Sequence, residues 1–584
     1  MNQNTLLSIW LDNDLPKHLR MLEYNKQIAP KHGTFEFGDV FLKRLSEIIN
    51  RLCRYAALIY LLVSILKATP AIAKEKEPKD AIRTTMLNAT RFMVEKVSVN
   101  GGYVRLYLPD LSRRWGELEL YKTQVQVQDP GITSMGNLFL DAYAVTKDEY
   151  YYQAAEKAAE GLILGQLECG GWNYFIDYDG DRSIKQWYNT IGKNAWGFEE
   201  YYHYYGNATF DDLTTSDAAK FLLRIYFEKL DLKFKPALDK AIDFILQAQY
   251  PLGGWPQRFP LKYDYPHGYK TDYTSFYTFN DDAIWGNLEF LALCYATLGQ
   301  ERFLDPIIRG MNFYLITQQG SPQAGWGLQY NMLIEPDHAR SFEPASLNTS
   351  QTRDHILKLI KFYQWTGDRK YLSRIPDAIQ WLESTKLPLN MTNGGKRTHP
   401  LFVEIETNKA LWAHRRGSGV NDQRYWIDYS TENLYSYGDN TKIDVEQLKK
   451  AYKAINAMDP QELVKNSPIK VASSPQKQYL GNNTFDYFYN QLSVKMPFQD
   501  ENIDVTEINS IVNSLDDQHR WLSKHEWVSK PYTVSENGEE SNTAMLGDEI
   551  HANWILDQSE QEYLSTQVYI KNMRKLITYL KQLK

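Results

Sequence analysis

The chain has 584 residues, 43% of them hydrophobic, and a net charge of −7, enough for about two to four average domains and a large core. That acidic balance excludes a surface that tracks phosphate throughout, because nucleic-acid binders carry a basic excess, yet it permits a local basic cleft. Three cysteines, Cys53, Cys169 and Cys294, form no disulfide framework and fit no zinc spacing.

The first distinctive element is apolar, Ala56 to Leu66, preceded by Arg51 and Arg54 and followed by a small-residue stretch ending at Ala73. A basic flank, a short apolar run and a small-x-small end make residues 51–73 signal-peptide-like, within an N-terminal extension of residues 1–73. The run is short for a membrane span, which needs about twenty apolar residues. An exported protein, periplasmic or secreted and with no stable span after processing, is the expectation.

A self-similar pattern begins at Tyr143 and returns at Tyr226, Tyr295 and Tyr363. Each copy has an aromatic residue at a helix end, a polar turn and a helix with apolar residues three and four apart, such as Ala237, Ala241, Ile242, Ile245 and Leu246. Three copies carry a glutamine near the helix end and finish in Gly-Trp, at Trp172, Trp255 and Trp326. Units of this kind stack because none buries its apolar face alone. The expected fold is all-α: antiparallel helix pairs closing into an (α/α) toroid or partial helical barrel over residues 74–438, with the Gly-Trp loops lining a cleft at one end. The abundant aromatics, 41 Tyr, 24 Phe and 15 Trp, suit such a core and equally a cleft that stacks on sugars. An open solenoid is the architectural alternative. Residues 439–584 read as a helical extension or cap, with helices over Val445–Met458 and Ser559–Leu583, the second opened by a capping box of Ser559 and Glu562.

The loops hold the residues with chemistry. Asp211-Asp212 and Asp281-Asp282 precede helices and fall at equivalent places in the repeat. Aspartates there serve as helix caps, but two pairs on adjoining loops also offer the carboxylate oxygens that calcium prefers. Trp255-Pro256-Gln257-Arg258 follows the second Gly-Gly, Arg340-Ser341-Phe342-Glu343-Pro344 precedes an amphipathic helix, and Glu406-Thr407-Asn408-Lys409 leads to Arg415-Arg416.

In combination and order these motifs resemble the pectic acid lyases, the family-ten pectate lyases, over roughly Arg83 to Tyr437. The resemblance implies an (α/α) toroid and Ca2+-dependent cleavage of polygalacturonate. It implies Arg340 as catalytic base and Asp211, Asp281 and Asp282 as calcium carboxylates. Arg415, Lys409, Asn408, Trp255, Gln257 and Arg258 are the expected substrate contacts. Lys409 stands where the family usually has arginine, which keeps the charge but loses the bidentate fork.

These residue types suit β-elimination. The proton beside a uronate carboxylate is weakly acidic until that carboxylate's charge is neutralised, which a divalent ion and fixed cations accomplish. The expected partner is an acidic polysaccharide, pectate or polygalacturonate, taken by a monomer, with no nucleic acid involved. A two-carboxylate glycoside hydrolase on the same helical fold and a non-catalytic acidic-glycan binder are the rival readings.

Overall fold

The computed structural model describes residues 78–194, 199–262, 271–416, 424–432, 434, 441–470, 504–529 and 554–583. The signal-like segment and Cys53 lie outside these residues. From Pro78 onward the chain groups as one compact unit. Among the described residues no helix is long and apolar enough to cross a membrane.

The repeat folds as helical hairpins. Helix α1 (Pro78–Phe92) is followed by α2 (Ile132–Thr146) with α3 (Glu149–Leu164), then the short α4 (Asp181–Thr190). The next pairs are α5 (Thr214–Lys229) with α6 (Lys235–Ala248), α7 (Ala283–Leu298) with α8 (Leu304–Ile316), and α9 (Thr349–Thr366) with α10 (Ile375–Ser384). Helices α11 (Val445–Asn456), α12 (Val505–Asn513) and α13 (Thr566–Gln582) complete the set. The repeat tyrosines end the first helix of each pair. The carbonyls of Tyr143, Tyr295 and Tyr363 accept from the N–H of Lys147, Gly299 and Gly367, all in the left-handed region. Asp148, Asp231 and Asp368 then accept from the N–H two residues on and start the return segment.

Inner helices adjoin in the order α13, α2, α5, α7, and Trp285 of α7 stacks on Trp365 of α9 at 5.8 Å. Helix α7 is buried almost all round, whereas α6 buries one stripe, Ala237, Leu238, Ala241, Ile242 and Ile245. An inner helix has neighbours on every side and an outer one has water on one face. This is the expected partial helical barrel, and its apolar side chains form one continuous core. Strands are mostly two or three residues long.

The repeated glutamine and tryptophan have a mechanical use. The indole N–H groups of Trp172, Trp255 and Trp326 donate to Leu162, Ile245 and Tyr314 carbonyls, each at 2.8 Å. The Gln166 amide donates to Gly170 O in its own loop and to Ala237 O in the next outer helix. Gln249 does the same with Gly253 and Pro306, and Gln318 with Ala324 and Arg374. Each amide therefore satisfies two carbonyls and ties one loop to the neighbouring hairpin.

The C-terminal helix starts later than its sequence suggests. Tyr563–Ser565 is a strand paired with Leu106–Tyr107, and Ser565, not Ser559, caps α13 through Val568 N. Pairing with the N-terminal strand outcompetes the local capping box. Helix α13 then packs on α2, and Tyr569 hydroxyl meets Thr90 Oγ1 of α1 at 2.7 Å. The motif around Asp516 is a tight loop that closes on itself: Asp516 accepts from Arg520 N and Nε, and Trp521 donates to Ile511 O. Cys169 and Cys294 are free thiols.

Candidate active site

Two turns at the loop end of the barrel build the site. Strand β1 (Ala208–Thr209) pairs with β2 (Arg258–Phe259), and β3 (Tyr277–Thr278) with β4 (Gln329–Tyr330), so that Thr209 faces Arg258 and Thr278 faces Gln329. Thr209 N donates to Trp172 O and Thr278 N to Trp255 O, so each turn is hung from a Gly-Trp loop. A phenylalanine follows, Phe210 or Phe279, and then two residues at positive φ: Asp212 (49°) and Leu213 (60°) in the first turn, Asp281 (53°) and Asp282 (57°) in the second. Left-handed backbone is rare for non-glycine residues and best tolerated by Asp and Asn. The turns lie against each other, because a Cβ at Gly286 of α7 would collide with Ser216 and Leu213.

This register corrects the sequence pairing by one residue. Asp211 is equivalent to Asn280, Asp212 to Asp281, and Leu213 to Asp282. The two Asp-Asp pairs look alike in sequence, but the backbone matches the first pair with Asn280-Asp281.

Arg340 reaches across both turns. Its Nη2 donates to Asp211 at 2.9 Å, its Nη1 to Asp281 at 3.2 Å and Glu343 at 3.4 Å, and its Nε to Glu200 at 3.3 Å. Four carboxylates thus surround one buried guanidinium, and the fork geometry of arginine serves three directions at once. Burial disfavours the charged guanidinium, but Glu200, Asp211 and Glu343 outweigh it and hold Arg340 firmly protonated. Asp211 is sealed from solvent. Burial pushes its carboxyl up, yet the Arg340 guanidinium first, with neighbouring hydrogen-bonding groups such as the Tyr174 hydroxyl, wins and keeps it below the ordinary range. Tyr174 hydroxyl donates to Asp211 at 2.6 Å.

The neighbouring acids move the other way. Burial, helped by nearby like charges, raises Glu200, Asp281 and Glu343 and brings Asp212 to about 7. Asp212 and Asp281 lie exposed at the cleft mouth, so water tempers their displacement relative to a sealed acid. Gln128 donates to Asp212 at 2.6 Å. Asp211 Oδ1 is buried without a hydrogen-bond partner. An orphaned carboxylate oxygen beside two crowded, raised acids is the donor chemistry of a hard divalent cation. Among the described residues, no three acid, His or Cys groups already stand at the spacing of a metal cage.

The remaining sequence candidates divide by depth. Asp282 forms an ion pair with buried Lys358 at 2.5 Å, since its position is the one Leu213 holds in the other turn. Trp255 is fully buried with its N–H on a main-chain carbonyl, and Arg258 is sealed between Tyr174 and Tyr205, 5.0 and 4.7 Å from their ring centroids. At 0% and 1% exposure Trp255 and Arg258 lie deeper than Arg340 at 7%, under the cleft floor, where they support the turns. Gln257 is likewise fully buried, and its side-chain amide finds no hydrogen-bond partner among the described residues. Asn408, at φ 59°, accepts from Trp381 Nε1 at 2.8 Å and so fixes its own loop. Lys409 is exposed, with its ammonium 5.3 Å from the Tyr429 ring. Arg415 is buried on the strand Ala410–Arg416 opposite Tyr425, whose ring packs on Phe342, two residues from Arg340.

Sequence reading missed Glu200, Glu343 and Tyr174 as partners of the cluster. Glu343 lies three residues after Arg340, a spacing that was visible. Tyr174 follows the first Gly-Gly-Trp by two residues, in a loop with no charge of its own. Glu200 sits in an aromatic stretch with no pattern of its own and becomes visible only in three dimensions.

The loop end of a helical barrel thus carries a buried arginine caged by four carboxylates. Residues 184–444 match the model of the pectic acid lyase family, and over that segment the chain is a pectate lyase-like enzyme. A comparison with curated proteins finds no match. Among solved structures, the family 10 polysaccharide lyase from Cellvibrio cellulosa is 18% identical, covering 59% of this chain and 98% of that one at a TM-score of 0.27. Cellobiose 2-epimerase from Bacillus thermoamylovorans B4167 is 12% identical, covering 86% and 99% at 0.38. A family 76 glycoside hydrolase (mannosidase) from Bacteroides thetaiotaomicron is 9% identical, covering 87% and 98% at 0.36. Scores this low leave activity and substrate to be argued from the residues of the cleft.

Proposed function

We propose that this protein is an exported lyase that cleaves pectate-like polyuronate by β-elimination, with Arg340 as base and Ca2+ as cofactor. The observation that carries this reading is the convergence of Arg340 on Asp211 and Asp281, three residues distant in sequence and all within the segment that matches the lyase family. Four carboxylates against one guanidinium leave the cleft negative, and a polyuronate is itself an anion, so substrate binding here calls for added positive charge. The residues fit a divalent cation, with Asp211 Oδ1 and the Asp281 carboxylate as its holders. Bound there it would supply charge neutralisation for the substrate carboxylate.

Each residue then has a task. Asp211, fixed by Tyr174, is the permanent anion of the site. Asp281, at the mouth, swings between Arg340 and incoming ligands. Glu200 and Glu343 orient the guanidinium. In the resting arrangement these acids hold Arg340 protonated, so its service as base requires their charge to be compensated first. Arg415 and Lys409 contribute positive charge toward the uronate chain.

The hydrolase reading has one observation in its favour: an ionised Asp211 next to a raised Asp212 is the kind of split that acid–base pairs show. One experiment separates the two. Mature protein is incubated with polygalacturonate in Ca2+ and then in chelator, and ultraviolet absorbance of 4,5-unsaturated ends is followed. Calcium-dependent absorbance, lost on the order of 1000-fold in Arg340→Ala, is the expected result. Saturated reducing ends without absorbance would replace the lyase with a hydrolase, and undiminished activity of Arg340→Ala would remove that residue from the mechanism.

A further inference from the structure

One acid at the site comes from outside the matched segment. Glu117 sits at the tip of a hairpin formed by Arg114–Trp115 and Glu119–Leu120. The tip is rigidly held. Arg105 Nε donates to Gly116 O at 3.0 Å, Gly116 N to Leu118 O, and Trp554 Nε1 to Glu117 O at 2.5 Å. The Glu117 side chain is half-buried, and Tyr201 hydroxyl donates to its Oε2 at 2.5 Å. Tyr201 follows Glu200, the acid on Arg340 Nε, and its ring is locked edge-on against Tyr174 and Trp187. Glu117 is thereby attached to the Arg340 cluster by a single rigid link. Among the described residues, no hydrogen bond occupies Glu117 Oε1.

β-Elimination has a second chemical demand besides the base. The departing sugar leaves through its 4-oxygen, an alkoxide unless a proton arrives as the bond breaks. We propose that Glu117 is the proton donor to this leaving oxygen, a catalytic residue supplied by the N-terminal hairpin. The inference rests on the lyase reading above.

The groups around Glu117 suit the task. The phenol donates to Oε2, which marks that atom as the carbonyl-like oxygen and assigns the acid proton to Oε1. Burial, then Asp212 and Glu200, with Asp211 behind them, push the carboxyl up to about 8. The Tyr201 hydrogen bond opposes that rise, and Arg105 is the cation that faces Glu117. In the step, the base takes the C5 proton and the C5–H electron pair becomes the C4–C5 double bond. The C4–O4 bond breaks with its pair on oxygen, and the Oε1 proton converts O4 into a hydroxyl. The Glu117 carboxylate left behind is reprotonated from solvent and the base gives the C5 proton up to solvent, so that atoms and charge balance over the cycle.

The test compares leaving groups. Glu117→Gln keeps shape and the Tyr201 hydrogen bond but carries no acidic proton. Its turnover of polygalacturonate is expected to fall about 100-fold or more. Elimination of fluoride from a 4-deoxy-4-fluoro uronide, whose leaving group needs no proton, is expected to stay within about threefold of the parent enzyme; this second substrate also reports that the variant is folded. Equal losses on both substrates, or none on the polymer, would overturn the assignment. A parent enzyme that forms no unsaturated product from either substrate would sink the lyase reading itself, a result distinguishable from both.

Discussion

The two turns of the cleft share a backbone and differ in charge. At one level Asp211 stands where the other turn has Asn280; directly beneath, on the paired strand, Arg258 stands where the other has Gln329. Gln329 donates to Asn280 at 3.1 Å, a neutral amide on a neutral amide. Arg258 is a buried cation whose field includes Asp211. Charge has been introduced into one copy of a repeated scaffold in two compensating places, and the neutral copy beside it shows what the scaffold needs for folding alone. A buried ion is tolerated where its counter-charge is buried with it.

Converting one turn into the other tests that comparison. Asp211→Asn should abolish turnover, on the order of 1000-fold, and lower stability by about 3 kcal/mol in chemical denaturation, because Arg340 and Arg258 lose a shared counter-ion. Adding Arg258→Gln, which recreates the Asn280–Gln329 arrangement, should restore about 1–2 kcal/mol of that loss without restoring turnover. Strictly additive losses would break the comparison. A smaller effect should appear in the pH dependence. Glu117, beside the charged turn, has its carboxyl raised from about 4.5 to about 8 in the folded protein. The folded state then binds the extra proton, so its stabilising contribution is complete below the ordinary value and is lost as pH rises through 8. The melting temperature of the metal-free protein should therefore fall by several degrees between pH 6 and pH 9, and Glu117→Gln should flatten the fall. An unchanged slope in the variant would assign the effect elsewhere. The smallest effect belongs to Asp282, whose equivalent is Leu213. Asp282→Asn removes the charge that faces Lys358, in a pair whose aspartate is 39% exposed, but keeps an amide oxygen that can still accept from the ammonium; it should cost about 1 kcal/mol and leave turnover within about threefold. A loss as large as that of Asp211→Asn would return Asp282 to the centre of the site.

The helical hairpins were legible because their signals are local. Tyrosine at a helix end, aspartate at the next start and the apolar stripe of Ala237 to Ile245 each follow from spacing. Asp211, Asp281 and Arg340 were legible through a resemblance, since nothing in local spacing predicts that they touch. The one-residue offset between the turns was hidden, because two Asp-Asp pairs match better as letters than the true partners Asp211 and Asn280 do. Depth was equally hidden: Trp255, Gln257 and Arg258 sit in a loop motif yet are buried, and only the β1–β2 pairing puts them under the floor. Glu200 and Glu117 reach the cluster through contacts between distant segments, and the strand that displaces the Ser559 capping box depends on a partner more than 450 residues away.

The glutamine amides that each join a loop to the neighbouring hairpin carry an evolutionary consequence. Because Gln166, Gln249 and Gln318 bind their own loop and the hairpin beyond it, exchanging a single rim loop would strand a hydrogen-bonding group in the adjacent unit. Diversification of the rim is therefore constrained to proceed by neighbouring couples, and grafts of specificity between relatives of this architecture should succeed as two-unit cassettes where single-loop transplants fail.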